Sequence, residues 1–383
     1  MTITHQPPIV VVAYNRPKSL ERLLHALSNS QCPDGIRLIV SIDRADNNQD
    51  VLKVAGDFVW EKGEKEVIYR PENMGLRKHI LACGDLSQKY GSVMILEDDL
   101  FVSPWFYQYA QAATSFYAKD PQVGGVSLYN ITSNMFVSNL PFQPVHDGAD
   151  TYFLQVPSSW GQTWTAEQWS GFRQWWDQGP SIEASDRMPQ GAKEWSEHSW
   201  VKYFYKYLVE SGKYFVHPQV SYTTNFADSG THFTQQVHTY QVALQMGDRQ
   251  FQFHRCADSG SVYDSFFEIT PQSLNQWVPE LAEYNYTVNL NGLKDPALYP
   301  GQLMFTLHAV DKAVRQFGQQ LDPFEMNIIQ DIPGDLISLA DPTHIRPNGQ
   351  ASERSFHYHY AHLPIRALTK LLKKRVQARF SSN

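Results

Sequence analysis

The chain has 383 residues, a net charge of −7 and a hydrophobic fraction of 42%, enough for one large domain or two ordinary ones with a real core. The net charge argues against a general nucleic-acid binder, since an acidic chain gains little from neutralising phosphates without a local basic patch. Cys32, Cys83 and Cys256 are too few and too scattered for a disulfide framework or metal knuckle; with no signal peptide and no run long enough to span a membrane, a reducing, cytoplasmic setting is expected.

The apolar run Ile9–Ala13 predicts a buried strand, and Pro17–Ser28, opening on proline, predicts a helix. Residues 37–42 predict a second strand ending at Asp43, 50–62 a helix, 66–69 a short third strand and 75–90 another helix. Residues 93–96 read as a strand covered on both faces that runs straight into Glu97, Asp98 and Asp99. This alternation implies a mostly parallel sheet flanked by helices, where ligands bind beyond the carboxyl ends of the strands. Asn15, Asp43 and the acidic triplet all lie at such ends. Three adjacent carboxylates repel, so a cation or water must compensate them; taken alone, the triplet also fits a solvated loop in which Asp98 or Asp99 caps the next helix.

Residues 160–176 hold five tryptophans, followed by Trp195 and Trp200. Such density is usually core, and it is also how sugar-binding surfaces are built, because indole faces pack on pyranose C–H faces. Residues from about 251 onward predict short strands, a helix over 302–317 and a loop-rich tail. The end of the chain, LTKLLKKRVQARF, is basic and apolar at helical spacing, which suits either a solvated terminal helix or one lying on an anionic membrane.

The turn after the first strand, AYNRP, has no glycine, against the G-x-G-x-x-G of a dinucleotide enzyme and the glycine-rich loop of a nucleotidyltransferase; a Walker lysine loop is also missing. What remains is a nucleotide site built from side chains, with the acids offering oxygens to Mn2+ or Mg2+. A metal held against a diphosphate stabilises charge on a leaving group, which is the chemistry of nucleotide-sugar transfer.

Over roughly residues 8–245 the chain resembles glycosyltransferases of the GT-A fold, in the region shared by bacterial family 2 enzymes and N-acetylglucosaminyltransferase I. PIVVVAYNRP resembles the first strand and nucleotide loop, VSID the second strand with its uridine-contacting acid, and ILEDDLFVSPWFYQY the metal-binding segment. SSWGQTW resembles the acceptor-side loop, EWSEHSW the segment holding the catalytic base, and TNFADSGTHF the loop that closes over donor.

The resemblance implies that Ala13, Tyr14, Asn15, Arg16 and Asp43 hold the nucleotide, and that Arg77 and His79 face the donor. It implies Glu97 and Asp98 on ribose and sugar hydroxyls, Asp99 as the metal ligand, and Ser229 or His232 on the diphosphate. The family's base is an aspartate before a tryptophan, but Ser199 precedes Trp200 here; Glu197 is the nearest carboxylate, with His198 and Glu194 as alternatives.

The expected organisation is a GT-A domain over 1–250 and an α+β extension over 251–383 with a basic amphipathic tail. The expected activity is inverting transfer of a hexosyl or N-acetylhexosaminyl group from a nucleotide sugar, a UDP-sugar first, to a glycan or lipid-linked acceptor. The setting would be bacterial polysaccharide or O-antigen assembly at the inner face of the cell membrane. The alternative is a non-catalytic carbohydrate-binding or scaffold protein of the same fold.

Overall fold

Strand β1 (Ile9–Ala13) consists of five buried residues, four of them β-branched. Ile9, Val11 and Ala13 pack into one apolar cluster and Val10 and Val12 into another, so both faces of the strand are covered. In the computed structural model, residues 6–226, 228, 238–346 and 357–380 are described, apart from the side chains at 357, 375 and 378–380.

Helix α1 (Pro17–Ser28) follows, then β2 (Leu38–Ile42), α2 (Gln49–Asp57), β3 (Lys65–Tyr69), α3 (Gly75–Gly84), α4 (Leu86–Tyr90) and β4 (Ser92–Glu97). The single helix expected over 75–90 is thus two, and that expected over 50–62 stops at Asp57. Next come β5 (Leu100–Val102), α5 (Phe106–Tyr117), β6 (Val123–Ser127), and two short paired strands, β7 (Ser133–Asn134) and β8 (Leu140–Pro141). The chain continues through β9 (Thr151–Leu154), β10 (Gln162–Thr165), α6 (Ala166–Trp176), α7 (Gln190–Lys193), α8 (Trp200–Glu210), β11 (Tyr214–Pro218), β12 (Thr223–Asn225), β13 (Val262–Tyr263) and α9 (Pro271–Trp277).

Nine strands form one sheet in the order β13-β9-β11-β6-β10-β4-β1-β2-β3. The neighbours β4-β1-β2-β3 are all parallel, so Ala13, Ile42, Tyr69 and Glu97 end on the same edge. The fold is the expected α/β type: a mostly parallel sheet flanked by helices. Of the tryptophans, Trp164, Trp169 and Trp200 are buried in the cluster on the Val10/Val12 face, and Trp175 and Trp176 pack against it partly buried.

Two compact units divide the chain, residues 1–132 with 144–279, and residues 133–143 with 280–383. The boundary expected at 250 therefore falls inside the first unit, because β13 adds to the main sheet beside β9.

The second unit contains β14 (Tyr286–Asn289), β15 (Leu303–Thr306), β16 (Ala309–Val310), β17 (Arg315–Phe317), α10 (Glu325–Ile329), β18 (Ile337–Ala340), β19 (Ile345–Arg346) and α11 (Ile365–Phe380). Its main sheet runs β14-β15-β18-β17. The helix expected over 302–317 is replaced by three strands. Leu303–Thr306 buries three of its four residues between β14 and β18, and cross-strand packing overrides a helical reading of an apolar run.

Candidate functional site

At the carboxyl end of β1 the chain turns outward, leaving Tyr14 and Asn15 exposed, and returns with Arg16 ahead of α1. The Asp98 N–H donates to the Val12 carbonyl at 3.0 Å, which brings the acidic triplet beside this turn. The Arg16 guanidinium then bridges two acids: one nitrogen donates to Asp98 Oδ1 and the other to Asp99 Oδ2 at 2.8 Å. Burial alone would lower the Arg16 pKa, but Asp98 and Asp99 outweigh it and leave it raised.

The other oxygen of each acid, Asp98 Oδ2 and Asp99 Oδ1, is buried and has no hydrogen-bond partner among the described residues. Burial pushes the Asp98 carboxyl up to about 6, against the pull of Arg16 and a smaller one from the Tyr14 backbone. Burial, then the nearby Asp99, push Glu97 up to about 8.

Asp43 is 3% exposed and spends both carboxylate oxygens on backbone N–H groups: Oδ1 accepts from Arg44 at 3.0 Å and Met74 at 2.8 Å, and Oδ2 from Gly75 at 2.9 Å. Gly75 sits at φ +70°, a left-handed conformation that costs glycine least, at the start of α3. Asp43 thus ties β2 to α3. Ala13, buried at the end of β1, accepts the Asp43 N–H at 3.0 Å. Asn48 and Asn73 hold Tyr14, through its carbonyl at 3.2 Å and its hydroxyl at 3.2 Å.

The two α3 residues expected at the donor go different ways. His79 is 2% exposed and its Nε2 lies 2.7 Å from Ser41 Oγ; burial first, then Arg70, push it down to about 4. Arg77 reaches the 194–200 segment, donating to the Glu197 carbonyl, with its guanidinium 5.4 Å from the Trp176 ring and 5.7 Å from the Tyr203 ring.

Glu197 itself is exposed, yet both its oxygens are held. Oε1 accepts from Lys202 Nζ at 2.5 Å and Oε2 from the Tyr203 hydroxyl. These bonds, Lys202 first, hold the carboxyl below its ordinary range. The Lys202 side chain is only 2% exposed and also donates to the Trp195 carbonyl at 2.8 Å, which fixes the segment from beneath. His198 is exposed, as is Glu194, whose Oε1 accepts from Gln190 at 2.9 Å.

Strand β12 pairs antiparallel with β5, and the Phe226 N–H donates to the Asp99 carbonyl at 3.0 Å, so residues 224–226 lie beside the acidic triplet. Asp228 accepts from Ser19 Oγ at 2.7 Å and from Arg22. Burial would raise its carboxyl, but Arg22 and Ser19 bring it below the usual value. Ser229 and His232, and most of the 226–233 loop, lie outside the described residues. Ser19, Arg22 and Asp228 were not anticipated as partners. Arg16, Ser19 and Arg22 recur every third residue at the helix start, but nothing local links them to Asp228, 209 residues beyond Ser19.

Among the described residues, no group of three or more His, Cys, Asp or Glu side chains is placed to hold a metal. Two buried, unpartnered carboxylate oxygens nevertheless fit Mn2+ or Mg2+, which take one or two carboxylates and complete their shell with phosphate oxygens and water.

No protein-family model matches the chain. Over 258 residues it is 26% identical to an alpha-1,3-mannosyl-glycoprotein 2-beta-N-acetylglucosaminyltransferase of Arabidopsis thaliana, covering 63% of this chain and 51% of that protein. The chain resembles a glycosyltransferase. It spans about half the length of the curated relative it matches.

Among solved structures, it is similar to S. aureus TarS 1-349, with a TM-score of 0.37 and 14% identity over 57% of this chain and 59% of that one. It is also similar to the mannosyltransferase PcManGT from Pyrobaculum calidifontis in complex with GDP-Man and Mn2+, with a TM-score of 0.31 and 13% identity over 43% of this chain and 46% of that one.

Proposed function

We propose that the chain is a metal-dependent, inverting glycosyltransferase that moves a hexosyl or N-acetylhexosaminyl group from a nucleotide sugar to a hydroxyl of a glycan or lipid-linked acceptor. The observation that carries this reading is the pair of buried, unpartnered oxygens of Asp98 and Asp99, at the carboxyl edge of the sheet beside the Tyr14–Arg16 turn. The similarity to the plant N-acetylglucosaminyltransferase supports it independently.

Bound there, Mn2+ or Mg2+ would supply Lewis acidity to the leaving diphosphate. Asp98 and Asp99 would hold it, with Glu97 beside them toward ribose or sugar hydroxyls, and Tyr14 and Asn15 would present exposed surface to the nucleotide. Glu197 would take the acceptor hydroxyl's proton as the oxygen attacks the anomeric carbon in line, while the nucleoside diphosphate leaves on the opposite face. Lys202 and Tyr203 keep that carboxylate ionised and oriented, at some loss of basicity. His198 and Glu194 stand as alternatives to Glu197.

The cellular setting we propose is bacterial polysaccharide or O-antigen assembly, with helix α11 resting on the inner face of the membrane. Ile365, Leu371, Leu372 and Val376 of that helix are exposed, and its sequence carries Arg366, Lys370, Lys373, Lys374, Arg375 and Arg379 without an acid. No described helix is long and apolar enough to cross a membrane.

Thermal-shift screening with UDP, GDP, CMP and dTDP, each with and without Mn2+, tests the reading. A ligand at a hundred times its dissociation constant adds about 2.7 kcal/mol of stability. A metal-enhanced shift with one nucleotide is the expected result; none with any of the four favours the non-catalytic carbohydrate-binding or scaffold alternative.

A further inference from the structure

The acids of the candidate site already own a cation. Arg16 spends one guanidinium nitrogen on Asp98 and one on Asp99, and leaves one oxygen of each acid buried without a partner. The Asp98 side chain is 3% exposed, so its unpartnered oxygen is not satisfied by bulk water. Arg16 is held where it is: its carbonyl accepts the Leu20 N–H at 3.1 Å in the first turn of α1, and Pro17 fixes the backbone beyond it.

We propose that Arg16 is an internal counter-ion that makes this site refuse a bare divalent cation and accept one only together with a nucleotide diphosphate. The inference rests on the reading of the site as a metal–nucleotide site and adds a condition on how it loads. Two carboxylates and one guanidinium leave a single net negative charge between them. The next charges outward, Arg22 and Asp228, pair with each other and leave that balance unchanged.

A small divalent ion sheds water reluctantly and must be repaid by concentrated negative charge. Here it would approach two oxygens whose sister oxygens are bound to a positive group, and the like-charge repulsion acts where water screens poorly. A diphosphate changes the sum. Its oxygens bring negative charge to both cations, and a planar guanidinium suits phosphate oxygens as well as carboxylates. The Arg16 side chain is 27% exposed, so it can be reached from solvent without leaving the acids. Metal and nucleotide would therefore enter as a unit, and free Mn2+ would not occupy the site ahead of the donor.

The test is Mn2+ binding, followed by electron paramagnetic resonance of the free ion, to the full chain and to Arg16→Gln and Arg16→Lys. Each is titrated with Mn2+ alone and with Mn2+ plus UDP, GDP, CMP or dTDP. The parent should bind Mn2+ only when one of the nucleotides is present. Arg16→Gln should bind Mn2+ alone at least about tenfold more tightly than the parent, because one opposing charge has gone. Arg16→Lys keeps the charge and should refuse Mn2+ alone as the parent does, which keeps the proposal testable if the glutamine variant, with two buried acids unpaired, does not fold. Equal binding of Mn2+ alone by the parent and Arg16→Gln overturns the counter-ion role and leaves the metal site standing, as does tight binding of Mn2+ alone by Arg16→Lys. If the parent binds no Mn2+ with any nucleotide, the metal–nucleotide reading itself fails, and this inference with it.

Discussion

Asp99 gives one carboxylate oxygen to Arg16 and keeps the other buried and free, so its proposed work as a ligand and its work as an ion-pair partner are separable. Asn at this position still accepts from Arg16 but is a far poorer ligand for a hard cation. Asp99→Asn should therefore lose at least about tenfold in nucleotide diphosphate affinity with Mn2+ present, or 1.4 kcal/mol. In EDTA the two proteins should bind alike; calorimetry that finds equal affinity under both conditions removes Asp99 from the metal.

Glu197 poses the opposite case, an exposed group held by a buried lysine and a tyrosine. Glutamine keeps an oxygen for Lys202, which also retains the Trp195 carbonyl, so Glu197→Gln should fold, with a modest loss of stability because the Lys202 cation is buried. The variant's donor affinity should hold, while turnover falls by about a hundredfold or more. Parent-like turnover in Glu197→Gln, with loss in His198→Ala or Glu194→Gln, moves the base to that neighbour.

At the scale of elements, helix α11 is the clearest separable part. Its exposed Ile365, Leu371, Leu372 and Val376 would stay in water at a cost unless something covers them, and its basic residues each add roughly 1 kcal/mol near an anionic surface. Truncation after Pro364 should leave turnover on a soluble acceptor unchanged and sharply reduce co-sedimentation with vesicles containing phosphatidylglycerol. Co-sedimentation that neither truncation nor salt alters would show that this helix does not carry membrane contact. Elements were legible where their pattern was local: β1, with its β-branched run, and α1, with Pro17 at its start, lie where the residues put them. The 302–317 segment was misread because an apolar run of that length fits helix and strand alike until its sheet partners are known.

For the molecule as a whole, acid should act through buried histidines. His79 and His217 are both held neutral, burial pushing each from an ordinary 6.5 to about 4. A lowered histidine pKa means the folded state binds the proton less readily than the unfolded chain. The stability involved is complete above pH 6.5 and is lost as pH falls toward 4, by roughly 3 kcal/mol per histidine as an upper bound. His217 lies with Nδ1 3.1 Å from the Tyr129 carbonyl and Nε2 2.9 Å from that of Val156, next to the stacked Tyr152 ring. His217→Gln should therefore be less stable than the parent near pH 7.5, with the gap in urea midpoint narrowing by about pH 4.5. A gap that does not change with pH would assign the loss to packing alone.

The sequence by itself determined the alternation of strands and helices, the edge of the sheet on which Asn15, Asp43 and the triplet would gather, and the resemblance to glycosyltransferases. These depend on hydrophobic periodicity and short motifs, which are local. Only the tertiary structure decided how the polar groups share their hydrogen bonds. Asp43, expected at the nucleotide, also accepts from the backbone N–H groups of Met74 and Gly75 where α3 begins. Arg16, expected at the nucleotide, also binds acids 82 and 83 residues away along the chain. Asp228 joins Ser19 and Arg22 across an even longer separation. Pairings of this kind follow from which strands neighbour one another in the sheet, and no local pattern encodes that order.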